Sequence, residues 1–404
     1  MRESLPPGPG QPAPPHAHGE ATRLALAYVA LFGLLGIQLP YWPVWLAHRG
    51  LEPGQIGVVL GVFTWARLAA PWTGSWADRR GRPDRLAVVL AAATLALTAA
   101  FGLASGFVAL LALSALSGLT MAPILPLVDG IAVTAAAAER IDYGRVRLWG
   151  SAAFVLASSL GGLALQGRSP SLVLWMIVLF TAALLATMLF LPRVPARAGS
   201  ARDTASVGVP ARSALASLRA MVRRPGMLTF LAAVACMQGS HSVLYGFGTR
   251  HWQAIGVAES TIGWMWAWGV IVEVCLFAVG QRMVARFRPT GMMVAAAVGG
   301  LIRWPLLAWV ESVPVIFAVQ TLHGATFAAM HLGAMNWIRV AIDAPSVQRA
   351  TGLYVAIGSG VALGVGQPLA GVLFEHFAGN AYLAMAASSG VGLVFALRLR
   401  SCTP

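Results

Sequence analysis

The chain has 404 residues, 58% of them hydrophobic and only 10% charged, with a mean hydropathy of +0.73. That composition excludes an ordinary soluble domain. The net charge of +14 would suit nucleic acid, but the cations read better as markers of membrane topology, and no nucleic-acid partner is expected.

Residues 1–21 are rich in Pro, Gly and His and lack an apolar signal core, so a disordered cytoplasmic tail is expected rather than a cleavable leader. Twelve apolar runs follow, approximately 22–46, 55–77, 86–104, 107–136, 145–166, 171–191, 225–249, 259–281, 290–310, 313–339, 348–374 and 379–399. A spanning helix needs roughly 20 such residues. The runs predict an all-α membrane protein with an N-terminal six-helix bundle over 22–191 and a C-terminal one over 225–400. Between them, residues 192–224 form a basic cytoplasmic linker. Its middle, Ala198–Gly208, is small and polar, and Ser213–Arg224 has the pattern of an amphipathic surface helix. Six runs, a basic loop and six more runs suggest two pseudo-symmetric bundles around a central cavity.

There is no lysine, and all 28 cations are arginine. With the N-terminus inside, only Arg49, Arg168 and Arg250 fall outside, and only Arg67, Arg147 and Arg303 fall within the membrane. This bias places both termini in the cytoplasm, and the Arg- and Ala-rich composition points to a bacterial inner membrane. Cys236, Cys275 and Cys402 have no metal or disulfide spacing.

The loop after the second run reads Gly74-Ser-Trp-Ala-Asp78-Arg79-Arg80-Gly81-Arg82-Pro83-Asp84-Arg85. It resembles the signature loop of the major facilitator superfamily. The resemblance implies twelve transmembrane helices in two bundles, and a gating latch made by Gly74, Asp78, Arg79, Gly81 and Arg82. The segment Tyr143-Gly-Arg-Val-Arg147-Leu-Trp149-Gly-Ser151 resembles the start of the fifth helix in lactose permease and in the related 3-phenylpropionate transporters. Pro123-Ile-Leu-Pro126-Leu-Val-Asp129 resembles their fourth helix. Asp129 and Arg147 stand at the separation of two substrate-binding residues of lactose permease, and Arg303 and His323 match two of its proton-coupling residues. Gln238-Gly-Ser-His241, Val272-Glu273-Val274 and Leu322-His323-Gly324-Ala-Thr326-Phe327 are similar to the 3-phenylpropionate group in particular. The chain departs from the sugar permease in having Gln320 at a lysine position and Thr326 at a carboxylate position. Glu273 is displaced by about one turn, which moves the proton-carrying role toward it.

A charge in hydrocarbon costs at least about 2.5–3.5 kcal/mol, so intramembrane charges mark functional sites. Arg67, Asp129, Arg147, Trp149, Gln238 and His241 are the expected substrate-binding residues. Glu273, Arg303 and His323 are the expected proton-coupling residues. A fixed Glu273–Arg303 pair, or pairing of Asp129 with Arg67 or Arg147, are the structural alternatives. Arginines beside Trp42, Trp65, Trp149, Trp264, Trp266 and Trp304 suit an aromatic acid. Together with the resemblance, which implies a substrate such as 3-phenylpropionate, this makes import of a small organic acid by proton symport and alternating access the expected function. A sugar or nucleoside symporter and an exporter are the alternatives, and a non-transporting receptor is the alternative of a different class. No enzyme chemistry, cofactor or metal set is evident. The expected partners are a small-molecule substrate, protons and the lipid bilayer, with the chain a monomer.

Overall fold

A computed structural model describes residues 15–69, 82–192, 216 and 219–401. Each of the twelve runs coincides with a helix or a pair of helices over its described residues, and no strand occurs among them. The first half contains α1 (Pro15–His48), α2 (Pro53–Trp65), α3 (Pro83–Ala100), α4 (Phe107–Met121), α5 (Ile124–Ala137), α6 (Tyr143–Leu165) and α7 (Leu172–Met188). The second half contains α8 (Met227–Gly239), α9 (Ser242–Ala254), α10 (Glu259–Arg286), α11 (Pro289–Trp309), α12 (Val313–Gln320), α13 (Met330–Ala341), α14 (Val347–Val355), α15 (Leu363–Phe377) and α16 (Tyr382–Ser401). Among the described residues, nine helical segments are long and apolar enough to cross a membrane, and α7 is apolar but shorter.

Local chemistry sets the helix starts. Pro53, Pro83 and Pro289 occupy first helical positions, where a missing N–H costs nothing. Asp142 caps α6 by accepting the Arg145 amide at 3.1 Å. α1 starts at Pro15, inside the segment expected as a disordered tail, and its Glu20 pairs with Arg140 at 2.7 Å. Two spans contain wide π-helical turns, Gly324–Ala329 and Ala356–Ala362. Of the expected linker, residues 193–215, 217 and 218 lie outside the described residues. Its end is anchored on the second half: Met221 is buried there, and Arg224 pairs with Asp343.

The halves repeat at an interval of 206 residues. Pro53 and Glu259, Pro83 and Pro289, and Phe107 and Val313 are corresponding helix starts. The turns after α1 and α9 each need a left-handed residue, and both supply glycine: Gly50 at φ 84° and Gly256 at φ 83°.

The halves meet at the end of the bundle opposite the chain termini, here called the far end. There α6 packs on α10, and α2 on α15. Glycines let the backbones touch. A Cβ on Gly263 would lie 2.5 Å from Ser158 O, one on Gly57 would lie 2.4 Å from Gln367 O, and one on Gly371 would lie 2.4 Å from Pro53 O. The Gly54 amide donates to Glu375 Oε2 at 2.9 Å across the same seam. One apolar core runs through the first half and into the far-end residues Phe247, Trp252, Met265 and Trp304 of the second. A separate core around Phe230, Met293 and Trp337 stays in the second half, toward the termini.

Candidate substrate cavity

Between the halves lies a cavity of about 350 Å³, lined by α1, α2 with the turn Ala66–Ala69 that follows it, and α6 on one side, and by residues of every second-half span but the last on the other. Its volume falls within the roughly 300–1,000 Å³ typical of small-molecule sites. Phe32, Leu39, Trp42, Phe63, Phe154 and Trp266 give it flat apolar walls.

Three guanidinium groups and one carboxylate face this space: Arg67, Arg147, Arg303 and Glu273. Arg67 and Glu273 are 206 positions apart, so the repeat places opposite charges at corresponding points of the two halves. None of the three arginines makes an ion pair with a described carboxylate. Arg147 lies over the Phe32 ring, 4.0 Å from its centroid, and 5.5 Å from that of Tyr28. Both contacts are cation–π geometry and leave the fork of N–H groups available.

Arg303 is fully buried and fixed. Its Nη1 donates to Thr326 Oγ1 at 2.7 Å and lies 3.2 Å from His323 Nδ1, and its Nη2 donates to Gln320 Oε1 at 2.7 Å. A guanidinium only donates. His323 Nδ1 must therefore accept, which assigns the neutral ring with its proton on Nε2. That nitrogen is 3.5 Å from Glu273 Oε2. The result is a chain from Arg303 through His323 to Glu273, in place of the direct Glu273–Arg303 pair that the sequence left open. His323 is further held by Phe327, whose ring stacks on it at 5.4 Å.

The structure brings Arg67, Arg147, Gln238, Glu273, Arg303 and His323 to one cavity. Three other expected site residues lie elsewhere. Asp129 does not line the cavity and pairs with no described arginine; its Oδ1 accepts from Tyr28 at 2.5 Å and Tyr143 at 3.3 Å. Those hydroxyls satisfy it inside the first half. His241 sits one layer behind the cavity, fully buried, with Nδ1 3.0 Å from Met237 O and its ring 6.1 Å from that of His323. Trp149 is 60% exposed on the outer surface, because its position on α6 points away from Arg147. Of the other tryptophans, Trp42 and Trp266 line the cavity, whereas Trp65 and Trp264 are exposed and Trp304 packs behind it. Gly74, Asp78, Arg79 and Gly81 lie outside the described residues; Arg82 immediately precedes α3 and pairs with Asp84 at 2.8 Å.

The MFS_1 like family matches residues 21–384. The chain belongs to that family. It is a multi-pass membrane transporter of the major facilitator superfamily rather than an enzyme. It is 36% identical to a probable 3-phenylpropionic acid transporter of Escherichia coli (strain K12), over 91% of this chain and 95% of that protein. It is 27% identical to a maltose permease of Geobacillus stearothermophilus, over 95% of each chain. Among solved structures, the nucleoside transporter NupG superposes with a TM-score of 0.78 at 16% identity, covering 95% of this chain and 98% of that one. A D-xylose–proton symporter superposes at 0.69 with 16% identity, covering 96% and 98%.

This major facilitator transporter also exposes to its cavity polar residues that charge-based reading missed: Gln38, Thr64, Ser151, Ser359 and Gln367. Only helical spacing could have signalled them. Gln38 lies four residues before Trp42, and Thr64 three before Arg67, each pair on one helix face.

Proposed function

We propose that the transporter imports a small monocarboxylic acid with an aromatic or bulky apolar tail, such as 3-phenylpropionate, together with a proton. The observation that carries this reading is the excess of unpaired guanidinium over carboxylate in a cavity with aromatic walls. Arg67 and Arg147 stand apart from protein carboxylates and match an incoming carboxylate with paired N–H donors. Arg303 is different: its donors are committed to Gln320, His323 and Thr326, so it holds the second half's site in place. Glu273 is the proton carrier. His323, presenting Nε2–H, steadies its ionised form, and protonation removes the only described carboxylate facing the arginines. The likeness to the probable 3-phenylpropionic acid transporter supports the substrate class.

Alternating access follows from the seam. The halves rock around the cavity between them, and the glycine contacts form the closure of the far end, which is the periplasmic side if the arginine-rich loops are cytoplasmic. On that orientation both termini are inside, the protein sits in a bacterial inner membrane, and one chain is a complete transporter.

The test is uptake of radiolabelled aromatic acids, aliphatic acids, sugars and nucleosides into proteoliposomes under an imposed pH gradient. Accumulation of an aromatic acid that stops in Glu273→Gln, while counterflow exchange survives, is expected. Saturable uptake of a sugar or nucleoside with no response to acids overturns the assignment. No flux of any solute supports the receptor alternative.

A further inference from the structure

The interval of 206 places Ser114, Ser117 and Thr120 of α4 where the second half has Gln320, His323 and Thr326. It places Leu97 of α3 where that half has Arg303. In the second half a guanidinium fills the space among these groups and donates to all three. In the first half Ser114 and Ser117 instead border a small cavity of about 20 Å³, together with Gln38, Thr94, Thr98 and Thr181; Leu97 and Thr120 do not line it, and Thr120 accepts from Thr94 at 2.9 Å. The pattern of contacts behind it is the same in both halves: Gly118 packs on Ala66, and Gly324 packs on Val272, again 206 positions apart.

Ser114 and Ser117 are 1% and 5% exposed, and neither hydroxyl has a protein partner among the described residues. Gln38 Oε1 shares that condition. Thr98 and Thr181 donate to the carbonyls of Thr94 and Ile177, at 2.7 Å each, and so offer lone pairs only. A serine in a helix commonly bonds to a carbonyl of the preceding turn; these two do not. The group therefore has more acceptors than donors, around a space of molecular size.

We propose that this pocket is a binding site for an ordered water molecule, which supplies the donors that Arg303 supplies in the second half. A cavity of this kind needs about 10–15 Å³ to take one water, and the water needs two to four polar partners. Both conditions are met. A cation fits worse, since no carboxylate lines the pocket to offset its lost hydration. The site has a consequence for the large cavity, because Gln38 borders both spaces. Water bound to its Oε1 turns its amide N–H groups toward the substrate, making Gln38 an oriented donor. The water site stands whether or not the transported solute is an aromatic acid.

The experiment uses the purified full-length chain. A structure at a resolution that shows ordered solvent is expected to place a water within hydrogen-bonding distance of Ser114 and Ser117. Thermal unfolding of Ser114→Ala and Ser117→Ala reads the same question by sign. If the hydroxyls hold water, each variant melts lower, by about 2 °C. If the pocket is dry, deleting an unpaired buried hydroxyl raises the melting temperature or leaves it unchanged, and the proposal falls. Stabilisation by sodium chloride but not by choline chloride at equal ionic strength overturns it in favour of a cation. Should the variants fail to fold, the solvent density in the wild-type protein decides alone.

Discussion

Adding one methyl group to the far-end seam should shift the whole conformational equilibrium. A Cβ on Gly263 would lie 2.5 Å from Ser158 O in the opposite half, against an ordinary contact of 3.4 Å or more. The obstacle is backbone, so rotating a side chain gives no relief. In Gly263→Ala the helices must separate locally by nearly 1 Å, and overpacking of this kind costs about 1–3 kcal/mol. That cost applies only while the far end is closed. It should therefore favour the far-open state by roughly 5- to 150-fold. Gly57→Ala meets Gln367 O at 2.4 Å on the other helix pair and should act in the same direction. Gly130→Ala is the control, with nothing within 4 Å of the added carbon. The assay is alkylation of a single cysteine at Leu60, which lines the cavity, in a background without Cys236, Cys275 and Cys402. An impermeant maleimide applied from the far side should react faster in both seam variants and at the parent rate in the control. Equal rates in folded Gly263→Ala, Gly57→Ala and parent protein would refute the seam as the closure.

Four further outcomes are expected. Arg303→Met should lower the melting temperature markedly, since three buried acceptors lose their donor at roughly 1–3 kcal/mol each; Arg67→Gln should leave melting almost unchanged while weakening acid binding at least tenfold in a ligand-titration assay. Tyr28→Phe removes the 2.5 Å bond to Asp129 and should cost about 1.5–3 kcal/mol by denaturant titration, with substrate affinity nearly preserved because Asp129 is outside the cavity. The Arg224 hydrogen bond holds the Asp343 carboxyl below its usual range. A depressed carboxyl stabilises the fold above its unfolded value near 3.9 and loses that contribution as pH falls through its lower folded value, so Asp343→Asn should flatten this part of an acid-stability profile and leave neutral-pH transport unchanged.

The twelve apolar runs made the helices legible, because hydropathy over about 20 residues is a constraint that tertiary packing does not override. Charge made Arg67, Arg147, Glu273 and Arg303 legible for a related reason: an ionic group in hydrocarbon has few places to go. The same logic does not say where Asp129 lies, which is outside the cavity lining. A buried carboxylate needs donors, and the sequence does not reveal that two tyrosines, Tyr28 and Tyr143, supply them instead of an arginine. Trp149 was a matter of helical phase: two residues from Arg147, it faces about 200° away around the helix. The start of α1 was hidden by its Pro- and His-rich approach, although Glu20 meets Arg140 there. Gln38 and Gln367 carried at most the weak signal of helical spacing, because a neutral amide in a membrane span is ordinary until its neighbours across the cavity are known.

The wide turns Gly324–Ala329 and Ala356–Ala362 both belong to the second half. Their counterparts 206 residues earlier include no such turn: α4 stays regular to Met121, and 150–156 lies within α6. Such a turn carries one surplus residue, and passing that surplus along the helix would rotate the side chains it crosses by about 100°. His323 and Phe327 sit at the first, and Ser359 is inside the second. The two sides of the cavity are thus built unequally, and if residues there are re-aimed between states, the surplus residues that allow it lie on the second half alone among the described spans.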